Sequence, residues 1–208
     1  MTSGNDCSHA RAPCRRERSL RIDLARSLRR IKPERFNRPL PRRGDADLDF
    51  ANDAAWFGPA LLLDTCVYVD ALEGSLPPLV EDLLRTRGLM HLSVVLGALA
   101  HNFGRLNPGH PNTPAHLAAL AGIFDDIPRH RIEDSISAGV LLDAGILAGL
   151  VFRLGGFQPG QEVAALNDAT IYLHAVERGH VVLTRNLRDF DLMNQIMPSG
   201  RVLFYRAV

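Results

Sequence analysis

Ala60-Leu61-Leu62-Leu63-Asp64-Thr65-Cys66-Val67-Tyr68-Val69-Asp70 is the stretch from which the rest of the chain can be read. Three leucines in succession, without polar alternation, read as a strand buried on both faces, the pattern of an interior strand in a parallel sheet. The run ends in a carboxylate. Leaving an ion unpaired away from water costs on the order of several kcal/mol. Asp64 therefore calls for a cation, and for a metal ion if other carboxylates reach the same strand end.

Outward from this strand, short apolar runs alternate with helical periodicities. The spacing predicts a strand over 60–64, helices over 65–72 and 77–87, a strand over 89–95 and a helix over 96–106. After the loop Asn107-Pro108-Gly109-His110-Pro111-Asn112 come a helix to about residue 125, a short strand near 129–132 and a long helix over 135–154 stopped by Gly155-Gly156. A helix over 161–178 closes at Gly179, and a strand (180–184), a short helix (189–197) and a last strand (201–205) complete the chain. This alternation predicts an α/β fold, a mainly parallel sheet covered by helices on both faces, over residues 58–208. In such sheets functional groups gather beyond the carboxyl ends of the strands, which brings Asp64, Asn186 and Asp189 toward one another.

The net charge of +1 conceals an asymmetry. Residues 1–43 hold 12 Arg and one Lys against four acids, a net +9, and residues 44–208 carry −8. Residues 1–57 are thus expected to form a basic, partly disordered arm. Within it, Leu20, Leu24, Leu28 and Ile31 mark one face of a helix over 19–31, with Ser19 as cap and Pro33 as stop. Three readings of the arm stand side by side: it binds nucleic-acid phosphates, it docks on the acidic body or an acidic partner, or the start codon has been assigned too early. Cys7, Cys14 and Cys66 are expected to be free thiols, since their number is odd; Cys7, His9 and Cys14 lack the second ligand pair of a zinc finger. No apolar run reaches the length of a membrane span and no signal-peptide pattern is present, so a cytoplasmic location is expected. No His pair at i, i+4, no nucleophile elbow and no phosphate-binding glycine loop occurs.

Two further segments carry chemistry. Asp168 lies in Ala164-Ala165-Leu166-Asn167-Asp168-Ala169-Thr170-Ile171, where a carboxylate near a helix start is also the ordinary reading. Val181-Val182-Leu183-Thr184-Arg185-Asn186-Leu187-Arg188-Asp189-Phe190 is a strand ending in a polar turn, in which Asp189 could equally cap the following helix. Taken in order, Leu-Leu-Asp-Thr at 62–65, Leu-Asn-Asp-Ala at 166–169 and Thr-Arg-Asn-Leu-Arg-Asp-Phe at 184–190 resemble the PIN-domain nucleases, in particular the VapC-like toxins of bacterial toxin–antitoxin pairs. The resemblance spans roughly residues 60–205. It implies a three-layer α/β/α sandwich and a metal-dependent endoribonuclease using Mg²⁺ or Mn²⁺. It also implies an RNA substrate, a cognate antitoxin and a homodimer. Carried onto this chain, Asp64, Asp168 and Asp189 are the expected catalytic acids and, with Asn186, the expected metal ligands. Thr65 and Thr184 are expected to steady the carboxylates by hydrogen bonds.

One position departs from that family. The helix after its second strand normally supplies a glutamate; here it reads Leu96-Gly97-Ala98-Leu99-Ala100-His101-Asn102-Phe103. Leu99, Phe103 and Leu106 share a core face, and the polar position beside it is Ala98. No acid occurs from Arg85 to Gly122, leaving His101 or Asn102 as substitutes on this helix. Asp143 is read as a polar residue on the exposed edge of its helix, with a contribution to the site as the alternative. The gap at Ala98 opens a second reading, a catalytically impaired PIN-fold protein that binds RNA or an antitoxin.

Overall fold

The computed structural model describes residues 23–208. Expectations for Leu20, the Ser19 cap, Cys7, His9 and Cys14 lie outside the described residues. Five parallel strands form one sheet in the order β3-β2-β1-β4-β5, with β1 (Leu61–Leu63), β2 (Leu89–Leu92), β3 (Ile132–Glu133), β4 (Val181–Thr184) and β5 (Arg201–Phe204). β1 is central, and all three of its leucines are buried, as an uninterrupted apolar run requires in a strand covered on both faces. The helices are α1 (Leu24–Ile31), α2 (Thr65–Glu73), α3 (Pro78–Thr86), α4 (Ser93–Gly104), α5 (Thr113–Asp126), α6 (Ala138–Leu154), α7 (Glu162–Arg178) and α8 (Leu187–Ile196).

The strand order positions the site. From β1 the chain moves to β2 and then β3 on one side, and returns to β4 on the other side of β1. The carboxyl ends of β1 and β4 thus flank the point where the direction of winding reverses, the place where an open α/β sheet forms a crevice. The registers Leu61↔Val181 and Leu63↔Leu183 put Asp64 level with Thr184 there.

Several boundaries differ from expectation: β3 is Ile132–Glu133 after a short 3-10 turn, α6 begins at Ala138, and two others have a clear local cause. β2 ends at Leu92 and α4 begins at Ser93, so Val94 and Val95 are helical; Val95 is fully buried in that helix, and burial overrides its β preference. α8 begins at Leu187 and its cap is Asn186, whose side chain accepts a hydrogen bond from the Asp189 amide; Asp189 sits in the first turn instead.

The described residues ahead of β1, from 23 onward, are packed on the body. α1 lies against α6, and Asp23 caps it through the Arg26 amide. Its buried residues are Ser27 and Ile31, whereas Leu24 and Leu28 remain exposed. The leucine stripe is therefore not the docking face. The reason is Asp143, which is buried on α6 and meets the Arg30 guanidinium at 2.6 Å, so an ion pair sets the rotation of α1. This also corrects the exposed-edge reading of Asp143. Further on, Arg43 donates from its backbone N–H (2.8 Å) and its Nε (2.5 Å) to Asp191, a fully buried carboxylate on α8. Phe50 bridges Phe204 at the sheet edge, and Leu48 is buried. Among the described residues, packed chain thus begins well before residue 58.

Candidate active site

Asp64 follows β1 directly and is 4% exposed. Its carboxylate accepts hydrogen bonds from the Thr65 backbone N–H (2.6 Å), the Thr184 hydroxyl (2.6 Å) and the Cys66 thiol (3.2 Å). Thr184 reaches across 120 residues of sequence because β4 pairs with β1 in register. Of the two threonines expected to steady carboxylates, Thr184 uses its side chain and Thr65 its main chain. Burial is the largest influence on Asp64 and raises its pKa; the three donors oppose it, and the charge of Asp189 adds to it.

Asp168 projects from α7, half-buried. Its pKa is raised well above the usual carboxylate range, first by burial, then by the charges of Asp64 and Asp189. Asp64 and Asp189 both act on Asp168, and Asp189 acts on Asp64. Asn186 joins two of them: its Nδ2 donates to Asp168 Oδ2 at 3.0 Å and to Asp189 Oδ2 at 2.9 Å. Its own backbone N–H donates to the Thr184 hydroxyl at 2.9 Å, linking this half of the site to Asp64. All four residues nominated from sequence are therefore brought together.

The donor set fits a hard divalent cation. It offers the carboxylate oxygens of Asp64, Asp168 and Asp189, while the Asn186 oxygen accepts the Asp189 amide. The Oδ1 atom of Asp189 is buried without a hydrogen-bond partner, a costly arrangement that an ion would relieve. Among the described residues no three His, Cys, Asp or Glu side chains are already disposed to close around a metal ion, and the Asn186 amide bridges Asp168 and Asp189 instead.

α4 itself carries no acidic residue. Ala98 is half-buried, next to the buried Leu99, and α4 packs against both α2 and α7, the helices that carry Asp64 at their start or Asp168 along their length. His101 is exposed, and Asn102 lines a groove with Leu72, Leu99, His116 and Leu120. Asp143 is engaged with Arg30.

A second layer was not anticipated from sequence. Asp70 is fully buried on α2; it accepts from the Tyr205 hydroxyl at 2.7 Å and meets Arg185 Nε at 3.2 Å. Cys66 accepts from the Arg185 backbone N–H at 3.3 Å, and burial pushes its thiol up to about 12, with the Asp64 charge contributing. The available signal was spacing: Cys66 and Asp70 stand at i, i+4 on one face of a helix that starts at Asp64. Tyr205 follows β5 as Asp64 follows β1.

No protein-family model and no curated protein sequence matches the chain. Solved structures do. VapBC2 from Rickettsia felis, bound to a DNA fragment from their promoter, is 18% identical with a TM-score of 0.50, covering 71% of this chain and 99% of that one. DNA-bound VapBC from Salmonella typhimurium is 22% identical with a TM-score of 0.45, covering 70% and 97%. At these identities the likeness speaks of the fold alone. The fold is PIN-like: α/β, with a five-stranded parallel sheet flanked by helices.

Proposed function

We propose that the chain is a metal-dependent endoribonuclease of the VapC-like toxin type, hydrolysing RNA phosphodiester bonds at Asp64, Asp168 and Asp189. The observation that carries this reading is the convergence of three carboxylates, from the ends or sides of β1, α7 and α8, linked by the hydrogen bonds of Thr184 and Asn186. A protein gains no stability from collecting like charges in a partly buried crevice, so the cluster calls for a cation. The strand order, which reverses between β1 and β4 where these residues follow the strands, supports the same reading.

In this proposal Asp64, Asp168 and Asp189 hold Mg²⁺ or Mn²⁺, with Asn186 completing the set. When bound, such an ion lowers the pKa of a water and offsets charge developing on the scissile phosphate. The chain's own part is positional. Thr184, the Thr65 amide and Cys66 fix the Asp64 carboxylate. Asn186 holds Asp168 and Asp189 at a common distance and caps α8. The two carboxyls with raised pKa release protons as the ion binds, so metal affinity rises with pH. RNA is then the substrate, a cognate antitoxin and a second copy are the protein partners, and the cytoplasm is the setting. No helix among the described residues is long and apolar enough to cross a membrane.

Ala98 favours a second reading, a catalytically impaired PIN-fold protein that binds RNA or an antitoxin. RNA cleavage with Mn²⁺ separates the two. For the enzyme, Asp64→Asn lowers cleavage by more than about 100-fold, beyond the loss typical of residues that only support a ligand. Cleavage that emerges only in Ala98→Glu identifies the impaired form. Cleavage unaffected by Asp64→Asn removes the enzyme reading.

A further inference from the structure

Arg185 stands between Thr184, which bonds Asp64, and Asn186, which bonds Asp168 and Asp189. It is the cation built into the rim of an acidic site, and its side chain is 43% exposed. Its Nε is held at 3.2 Å by Asp70, whose side chain is fully buried. The same carboxylate oxygen, Asp70 Oδ2, also accepts from the Tyr205 hydroxyl at 2.7 Å. The Arg185 backbone is tied down as well, through its N–H on Cys66 Sγ at 3.3 Å. Among the described residues, the two terminal amino groups of the guanidinium have no partner.

This is an arrangement for presenting a planar, two-pronged donor. A surface arginine normally loses side-chain entropy when it grips a ligand; one already gripped at Nε by a buried acid has lost part of it in advance. Burying Asp70 has no return in stability by itself, because a buried ion pair barely offsets its desolvation. What it secures is the direction of the guanidinium. Arginine's paired N–H groups match the two free oxygens of a phosphodiester.

We propose that Arg185 binds a backbone phosphate of the RNA strand at the mouth of the acidic site, and that Asp70 and Tyr205 are the positioning residues that aim it. The inference rests on RNA being the substrate, but not on the chain's cutting it. A phosphate drawn to Arg185 lies on the segment that joins Asp64's anchor to the Asn186 bridge, next to the carboxylates that would hold the metal.

The test is binding of a fluorescein-labelled, mixed-sequence, single-stranded RNA to the full chain in EDTA, read by anisotropy across a salt series. Arg185→Ala is expected to weaken binding roughly tenfold, within the range for a lost charge-assisted contact, and to reduce the log–log salt slope by about 0.7, the value for one phosphate contact on a single strand. Arg185→Lys restores the slope and only part of the affinity. Because Arg185→Ala alone leaves Asp70 buried without its cation, the double variant Arg185→Ala with Asp70→Asn is measured alongside; it keeps an acceptor for Tyr205 and shows the same reduced slope. Asp70→Asn alone retains the slope, because Arg185 keeps its charge, but weakens RNA binding several-fold, because the guanidinium is no longer pre-aimed. Parent and Arg185→Ala binding RNA with equal affinity and slope would overturn the proposal and leave the nuclease reading intact. A parent chain that binds no RNA overturns both. A reduced slope in a chain that never cleaves RNA supports the phosphate contact and removes only the nuclease.

Discussion

At the scale of single residues, Asn186 shows how one side chain can serve two structural demands. Its oxygen caps α8 and its amide nitrogen separates two carboxylates. Asn186→Asp preserves the cap and replaces the donor with a third negative oxygen. Without metal, the variant should lose about 2 kcal/mol of stability, in line with a charged hydrogen bond turned into a repulsion, and Mn²⁺ should return much of it; denaturant unfolding with and without Mn²⁺ checks this. His91 offers a separate, titratable test. It is buried, its Nδ1 is 2.6 Å from the Tyr68 hydroxyl, and burial, helped by Arg131, pushes its pKa down to about 4. An unfolded histidine titrates near ~6.5. Between these values the unfolded chain binds the extra proton, so stability is full above the unfolded value and falls as pH drops toward 4. Thermal midpoints of the parent should decline over that window, and His91→Gln should flatten the decline.

At the scale of elements, most of the fold was legible because β1 and most of β4 are apolar runs and α2, α6 and α7 stop at glycine. Gly74 and Gly179 close α2 and α7 with φ of 66° and 74°, a conformation that costs glycine little. What remained illegible was rotation. The Leu24, Leu28 and Ile31 spacing announced a helix, but α1 turns on the Arg30–Asp143 pair and leaves Leu24 and Leu28 in the open. Likewise Leu166 is exposed on α7 while Ala165, Ala169 and Tyr172 are buried. A sequence gives the period of a helix, and only the partner face fixes which side is buried. The site was legible where a strand hands over to a polar residue, as at Asp64 and Asn186. It was illegible at Asp70 and Tyr205, whose roles depend on α2 lying beside the end of β5. At α4 the missing carboxylate can be restored: Ala98→Glu should tighten Mn²⁺ binding about tenfold or more, an effect comparable to a ligand-supporting contact, as measured by calorimetry.

At the scale of the whole molecule, the described residues ahead of β1, from 23 onward, pack as part of the body. Arg43 neutralises Asp191 inside α8, and Gln195 reaches back to the Pro41 carbonyl at 3.0 Å. Arg43→Ala strands a buried charge and should cost about 3 kcal/mol, while deletion of residues 1–43 should lower the thermal midpoint further; circular dichroism melts decide. An arm that served only to bind nucleic acid would leave both melts unchanged. The same long-range closure defines the acidic site, since Asp64, Asp168, Asn186 and Asp189 meet only when β4 returns beside β1. That these side chains act as a single cation site is open to direct measurement by calorimetric titration of the full chain with Mn²⁺ beside Asp64→Asn and Asp168→Asn. Saturable binding to the parent, tightening as pH rises and lost in both variants, is the expected result; binding that is absent from the parent, or equally strong in all three, contradicts it.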